Sequence, residues 1–169
     1  MTIISNAGPL LSFARANLLA LLREIVGALT IPEAVYDEIV VSGAGLPGAD
    51  EVRDSAWITR APVSDHRFVE QLPHTLHAGE REAIAMAREQ RAALVIDDQA
   101  ARRVAEQYGV ACMGSLRLLE EAKQRGIIAA VKPTLDALMA AGMYLSDPLY
   151  HAFLRRMGEE DPPTEHGKT

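Results

Sequence analysis

The chain has 169 residues, enough for one domain with a substantial buried core. Its composition is ordinary for a globular protein, and its net charge of −6 argues against a general nucleic-acid-binding surface. Cys112 is the only cysteine, which excludes an intrachain disulfide and a cysteine-based metal site. Charged residues interrupt the apolar stretch 10–29 at helical spacing and no signal peptide is evident, so we expect a cytoplasmic protein that spans no membrane.

The predicted elements alternate between strands and helices along the chain. Strands are expected at 2–5, 28–31, 57–59, 92–96 and 110–112, and helices at 10–15, 18–26, 32–41, 79–91, 116–125, 134–141 and 148–157. Turn chemistry is expected at 6–9, a glycine-rich loop at 42–48, and irregular chain at 61–76 with one helical turn around 67–72. This alternation predicts an α/β fold whose parallel sheet is covered on both faces, in one domain over 1–158. The acidic, proline-containing tail 159–169 is expected to be disordered.

Two adjacent carboxylates, Asp97 and Asp98, follow the apolar run Ala92–Ile96 and precede a helical pattern. A strand that feeds a helix in a parallel sheet places such residues at the carboxyl edge, where α/β folds put their sites. Neighbouring like charges repel each other unless a cation or a proton compensates them. The pair therefore predicts a cation site at this edge, with Asp98 also able to cap the following helix.

Two further acids interrupt the apolar faces of predicted helices. Glu80 precedes Ala83, Ile84 and Ala87 at the spacing of one buried stripe, although an acid in the first helical turn is also favoured by the helix dipole. Glu38 shares a helix face with apolar residues in the same way, and the simpler interpretation is an acid at an exposed rim. A partly buried carboxylate needs a cation or hydrogen bonds, so both residues are candidates for the same site.

Other polar residues have simpler explanations beside the functional one. Asn6 ends the first strand and could serve only as a turn or cap residue. Ser115 could cap the helix at 116, or it could donate a hydrogen bond to a ligating carboxylate. His74 and His77 have spacing that is a weak signal for metal binding and more often indicates solvent exposure.

Oxygen ligands from scattered acids favour a hard divalent cation, Mg²⁺ or Mn²⁺, over zinc. Such ions assist in-line displacement at phosphorus and need no covalent nucleophile. The segment 101–132 carries six basic and three acidic side chains, which suits a phosphate-bearing substrate but equally suits solvated helix faces.

Four segments occur in an order that resembles a known family: Ile4–Leu11, Ile31–Val40, Gly79–Ile84 and Val95–Arg102. They resemble a prokaryotic branch of the PIN-domain families that is related to VapC-type toxin ribonucleases. The resemblance implies a three-layer α/β/α fold with a central parallel sheet. It also implies a Mg²⁺- or Mn²⁺-dependent ribonuclease, with RNA as substrate, an antitoxin protein as partner of the toxin, and a homodimer.

Carried over position by position, the resemblance assigns Glu38, Glu80 and Asp97 to the acidic metal site, with Asp98 as an alternative or additional ligand. Asn6 falls where such nucleases usually carry their first Asp, and the neutral amide removes one negative charge from the site. Four further residues are assigned to RNA binding, with Ser115 alternatively holding a ligating carboxylate: Arg102, Arg103, Arg117 and Ser115.

Two other functions remain open beside the ribonuclease. A catalytically weak or inactive PIN-like protein that binds RNA or a protein partner is favoured by Asn6. A phospho-acceptor receiver domain also has an acidic sheet edge, but it expects its acid pair near the first strand, whereas this chain has the pair at 97 and 98.

Overall fold

The structure, a computed structural model that describes residues 2–160, contains a five-stranded parallel sheet. The strands are β1 (Ile3–Ser5), β2 (Leu29–Pro32), β3 (Ile58–Ala61), β4 (Ala93–Val95) and β5 (Cys112–Met113). Their spatial order is β3-β2-β1-β4-β5, and every neighbouring pair is parallel. The predicted α/β class with a central parallel sheet is confirmed.

Helices lie on both sides of the sheet and follow the strands in sequence. They are α1 (Ala7–Arg15), α2 (Leu19–Val26), α3 (Glu33–Tyr36), α4 (Ala49–Arg53), α5 (His66–Gln71), α6 (Ala78–Gln90), α7 (Gln99–Gln107), α8 (Ser115–Gln124), α9 (Lys132–Ala140) and α10 (Asp147–Arg156). A π-helical segment, Asp37–Val41, continues α3 without a break. The three-layer α/β/α arrangement therefore forms as predicted.

The core lies between the sheet and its helices. Ile4, Ile31 and Leu94 on the three central strands have no exposed surface, and α6 packs against β1, β2 and β4. The middle of α6, residues 83–87, is buried around its whole circumference, because α3 and α5 cover the side that faces away from the sheet. This packing fixes α6 against the central strands.

The strand order creates a crevice at the carboxyl edge between β1 and β4. From β1 the chain adds β2 and β3 on one side, then crosses over and adds β4 and β5 on the other. Loops that leave β1 and β4 therefore turn in opposite directions, and open α/β sheets bind ligands at such a switch point. Asn6 follows β1, and Asp97 follows β4 by two residues, so both lie at this crevice.

The predicted turn at 6–9 is wrong. Residues 7–9 form the first turn of α1, with Asn6 at the N-cap. Pro9 is compatible with this position because the first backbone N–H groups of a helix have no intrahelical partner. The helical turn expected around 67–72 is present as the short helix α5, and the Asp65 side chain caps its start by accepting from the N–H of Phe68 at 3.0 Å.

The start of the predicted tail is bonded to the domain. The carboxylate of Glu159 accepts hydrogen bonds from the backbone N–H groups of Val131 and Lys132 and from Lys123 Nζ, at 2.6 to 2.8 Å. The expected disorder of the rest, 161–169, lies outside the described residues. Within 2–160, each helix is too short or too polar to cross a bilayer.

Candidate active site

A cavity of about 190 Å³ opens at the carboxyl edge of the sheet, at the switch point between β1 and β4. It is lined by Asn6, Ala7, Gly8, Pro9, Glu38, His77, Glu80, Asp97 and Asp98. The structure therefore brings together all the residues that the sequence assigned to the metal site, although they come from four separate segments of the chain. Asn6 follows β1, Glu38 lies after α3, Glu80 begins α6, and Asp97 and Asp98 both lie between β4 and α7.

Glu38 lies in the π-helical segment that continues α3. A π-helical turn rotates the following side chains relative to an α-helix, and such turns often occur at functional sites. Although Glu38 as a residue is exposed, burial of its carboxyl raises the pKa of Glu38; Glu80 also raises it, whereas His77 lowers it. The carboxylate is thus partly removed from water beside another acid, a position in which a cation would stabilise it.

Gly79 makes room for the Glu38 carboxylate. A Cβ atom at Gly79 would lie 2.9 Å from Glu38 Oε2 and 3.3 Å from Val35 Cγ2. Gly79 has ordinary helical backbone, so what this position requires is space rather than an unusual conformation. A side chain at this position would therefore displace the Glu38 carboxylate from the place it occupies.

Glu80 occupies the first turn of α6, as predicted from the sequence. Its Oε2 accepts a hydrogen bond from the backbone N–H of His77 at 2.9 Å, so the carboxylate folds back over the helix start. This bond satisfies one free N–H group and directs the acid toward the cavity. Two explanations therefore apply to Glu80. Structurally, an acid is favourable at a helix N-terminus, and functionally, the same acid lines the cavity.

Ser115 holds Asp97 by both of its carboxylate oxygens. The backbone N–H of Ser115 donates to Oδ1 at 2.7 Å, and its hydroxyl donates to Oδ2 at 2.6 Å. Because Ser115 is the first residue of α8, the carboxylate also lies at the positive end of that helix. Of the two roles open to Ser115, the hydrogen bond to the acid is the one that forms, while Gly114 takes the N-cap position.

Asp98 has a different environment from Asp97. Its Oδ1 accepts from the N–H of Ala101 at 2.8 Å, which makes it the N-cap of α7. It lines the cavity as well, but one of its oxygens is already used to cap the helix. Both acids therefore stay candidate ligands, because Ser115 bonds to both oxygens of Asp97, whereas the helix cap uses only one oxygen of Asp98.

Asn6 contributes a buried polar atom to the cavity wall. The residue is 7% exposed, and its Oδ1 is buried without a hydrogen-bond donor among the described residues. A buried oxygen without a donor is costly, and a cation or a bound water would relieve that cost. This atom is an independent indication that the cavity is built to hold a ligand.

The three arginines predicted to bind RNA are distributed around α7 and α8. Arg102 is half-buried and donates from Nη2 to the carbonyl of Ile96 at 2.8 Å. Arg117 is exposed and pairs with Glu120 at 3.0 Å, and Arg103 is exposed on α7. None of the three lines the cavity, so their contact with RNA stays a prediction.

The donor set fits a hydrated hard cation. Four carboxylates and one amide line the cavity, a set of oxygen donors that suits Mg²⁺ or Mn²⁺, and the unpartnered Asn6 Oδ1 supports a ligand there. Across 2–160, no three acidic, His or Cys side chains converge closely enough to hold a metal ion by themselves. Mg²⁺ usually keeps several of its waters in proteins, so some of these residues would act through water.

His77 is the cavity residue that the sequence did not select. The i, i+3 relation to His74 pointed to a histidine pair, but only His77 lines the cavity. The signal that could have found it is its place at the N-cap of α6, three residues before Glu80. A residue at this position necessarily faces the same edge as the first-turn acid.

Comparisons with known proteins assign the chain to a family. A family model, DUF3368, described as a PIN domain, matches residues 2–159. No curated protein matches the chain significantly. Among solved structures, a PilT N-terminus domain protein from the hyperthermophilic archaeon Sulfolobus solfataricus P2 is similar, with 16% identity, a TM-score of 0.48 and coverage of 86% of this chain and 98% of that one. The match over nearly the whole described chain establishes that this protein belongs to the PIN-domain family DUF3368.

Proposed function

We propose that this protein is a Mg²⁺- or Mn²⁺-dependent ribonuclease whose active site is the cavity between β1 and β4. One observation carries the proposal: Asn6, Glu38, Glu80 and Asp97 reach one cavity from four distant segments. Membership of the PIN-domain family independently suggests a nuclease fold. Neighbouring carboxylates repel each other unless a cation or a proton compensates them, so their convergence on one cavity supports a shared chemical role.

Glu38, Glu80 and Asp97 would hold the cation, directly or through water. The cation would lower the pKa of an attacking water and neutralise charge on the leaving oxygen. The cation would stabilise the charged form of Glu38 most, because the Glu38 carboxyl is partly desolvated. Ser115 fixes the orientation of Asp97, and the amide oxygen of Asn6 offers a neutral ligand where a carboxylate would add charge.

RNA is the proposed substrate, with its backbone passing over the cavity. The wall itself is acidic, so phosphates would approach through the cation rather than through arginines in the wall. Arg103 and Arg117 on α7 and α8 are exposed and could contact phosphates further along the strand. Such contacts would position RNA without selecting its sequence.

We further propose that the protein is the toxin of a toxin–antitoxin pair, acts in the cytoplasm and forms a homodimer. The proposal rests on the resemblance to VapC-type toxins. The structure offers apolar surface for such contacts: Tyr144 is 88% exposed, Val41 62% and Leu46 57%. Light scattering of the purified protein would test the dimer, and co-purification with the product of an adjacent gene would test the antitoxin.

Cleavage of single-stranded RNA in the presence of Mn²⁺ tests the enzymatic proposal. Glu80→Gln removes a charge from the cavity, whereas the control Glu106→Gln removes a charge from an exposed face of α7 outside the cavity. We expect Glu80→Gln to lose activity by about 100-fold or more and Glu106→Gln to retain it. If all three proteins cleave equally after identical purification, the activity comes from a contaminant and the proposal is wrong.

Asn6 favours a second candidate, a PIN protein that binds RNA or a protein partner without cutting. The neutral amide lowers the charge available to hold a divalent cation. Asn6→Asp separates the two candidates. Cleavage that arises only in Asn6→Asp supports the non-cutting protein, and strong cleavage by the unaltered protein excludes it.

A further inference from the structure

Arg102 is directed into the protein rather than toward solvent. From the first turn of α7 its guanidinium reaches back to the carbonyl of Ile96, with a distance of 2.8 Å from Nη2 to the oxygen. Its Nε is buried and has no hydrogen-bond partner within the described chain. An exposed conformation would hydrate all five N–H donors, so the inward position has a cost that some interaction must offset.

Gly114 provides the space that this inward position requires. A Cβ atom there would lie 2.6 Å from Arg102 Nη2 and 3.0 Å from Asp97 Oδ1. The backbone of Gly114, with φ −103° and ψ 174°, is available to any residue. The absence of a side chain therefore serves the close approach of the guanidinium and the carboxylate on either side of this position.

Asp97 is consequently held both next to its main chain and at its carboxylate. Arg102 holds the carbonyl of the preceding residue, Ile96, while Ser115 holds the two carboxylate oxygens. The guanidinium also brings one positive charge close to an acidic cavity. A main chain held on one side and a side chain held on the other leave Asp97 little freedom to rotate.

We propose that Arg102 is a positioning residue for Asp97, rather than a contact for RNA phosphates. The Asp97 carboxylate is presented to the cavity by one support, which consists of Ile96, Arg102, Gly114 and Ser115. The part of this inference that concerns metal affinity rests on the proposed function. The part that concerns Asp97 itself can be tested in the protein without metal or RNA.

The direct test is amide hydrogen exchange of Ser115, whose N–H is bonded to Asp97. Arg102→Met keeps the unbranched apolar part of the side chain but removes its charge and donors, and Arg103→Met is the control on the exposed side of the same helix. We expect Arg102→Met to lower the protection of the Ser115 amide by about tenfold or more relative to the Ala34 amide in α3. Arg103→Met should leave this ratio unchanged, and Arg102→Lys should restore part of it.

An unchanged protection ratio in folded Arg102→Met would overturn the proposal. If that variant does not fold, Gly114→Ala provides a second test, because its Cβ displaces Arg102 Nη2 or Asp97 Oδ1 from the same support. The same selective loss at Ser115 is then expected, and full protection in Gly114→Ala would contradict the inference.

Metal binding and kinetics separate this inference from the proposed function. Partners that orient a metal ligand typically change metal affinity by about 10- to 100-fold, so Arg102→Met should weaken Mn²⁺ binding by that factor. On RNA, a positioning role predicts a lower kcat with little change in KM, whereas a phosphate contact predicts a higher KM. If the unaltered protein neither binds Mn²⁺ nor cleaves RNA, the proposed function fails, and the exchange ratio still decides the role of Arg102.

Discussion

The carboxylate of Glu82 accepts a hydrogen bond from the backbone N–H of Ala34 at 2.9 Å, across 48 positions of sequence. Ala34 lies in the first turn of α3, where backbone N–H groups have no partner inside the helix. The bond therefore joins α6, which carries Glu80, to the helix that carries Glu38. Two candidate ligands are placed relative to each other by a third acid that does not line the cavity.

Removal of this bond should destabilise the fold. We expect Glu82→Ala to lower the free energy of unfolding by about 1 kcal/mol, the typical value of a helix N-terminal cap. Glu82→Gln retains an acceptor oxygen and should lose less. Urea unfolding of the two variants measures the difference, and equal losses would show that the hydrogen bond to Ala34 is not what Glu82 contributes.

Gly79 is predicted to lower the stability of α6 while it leaves the space that the Glu38 carboxylate occupies. Gly79→Ala should gain up to about 1 kcal/mol of helix propensity, but its Cβ would lie 2.9 Å from Glu38 Oε2. In the unaltered background the substitution should displace the carboxylate and weaken Mn²⁺ binding. In a Glu38→Ala background the conflict with the carboxylate is absent, and the same substitution should stabilise the protein.

Calorimetric titration and thermal unfolding of these variants form a double-mutant cycle. An equal change in stability from Gly79→Ala in both backgrounds would mean that the glycine is not coupled to Glu38. The Val35 side chain, 3.3 Å from the new Cβ, is common to both backgrounds and cancels in the comparison.

The raised pKa of Glu38 predicts a pH-dependent cost to stability. In the folded protein this carboxyl binds its proton up to a higher pH than in the unfolded chain, mainly because burial disfavours the charged form. Stability should therefore fall as pH rises from the ordinary carboxyl pKa of 4.5 through the raised value, and the cost persists at neutral pH. Glu38→Gln should raise the melting temperature at pH 7 and lose this advantage below pH of about 4.

The control for this experiment is Glu70→Gln, on the exposed face of α5. Its carboxyl is solvated in both states, so its removal should change the melting temperature little at either pH. A Glu38→Gln protein that is less stable than the original at pH 7 would show that the charged carboxylate is compensated by contacts within the protein.

The sequence predicted which acids lie at the cavity better than it predicted the contacts that hold them. Asp97 follows a buried apolar run, and Glu80 heads an apolar helical stripe, so strand and helix periodicity alone placed both acids at one edge. Glu82 was not selected because its periodicity within α6 does not reveal that the start of α3 lies opposite. Its partner is set by tertiary packing, on which a pattern within one helix carries no information.

Arg102 also shows that a sequence pattern does not reveal tertiary contacts. Its place in a basic segment suggested a phosphate contact, because composition gives the charge of a side chain but not the direction in which the side chain points. The structure turns its guanidinium inward to Ile96, and the space for it comes from Gly114, twelve residues further along the chain. The predicted turn at 6–9 failed for a related reason: Gly8 and Pro9 disrupt a helix interior, but the first helical turn tolerates both.

Asn6 is the residue whose replacement should reveal the electrostatic balance of the site. Asn6→Asp would add a fifth carboxylate, in a largely buried position, to the cavity that Glu38, Glu80, Asp97 and Asp98 already line. Without metal, repulsion and desolvation should lower the melting temperature. With Mn²⁺, the added charge should strengthen binding by on the order of tenfold, or about 1.4 kcal/mol. Calorimetric titration and thermal unfolding, each with and without Mn²⁺, measure the two effects on the same sample.

The matched control is Gln71→Glu, which adds a charge at the exposed end of α5 and should change neither quantity by more than a small amount. The informative result is the combination of opposite signs, because a general structural defect would weaken metal binding and stability together. If Asn6→Asp leaves both stability and Mn²⁺ affinity unchanged, Asn6 does not face the cation, and the unpartnered Oδ1 must be satisfied by water. If stability falls and affinity rises, the amide at position 6 keeps the negative charge of the cavity lower than a carboxylate would. The protein without metal is then more stable with the amide than with the carboxylate.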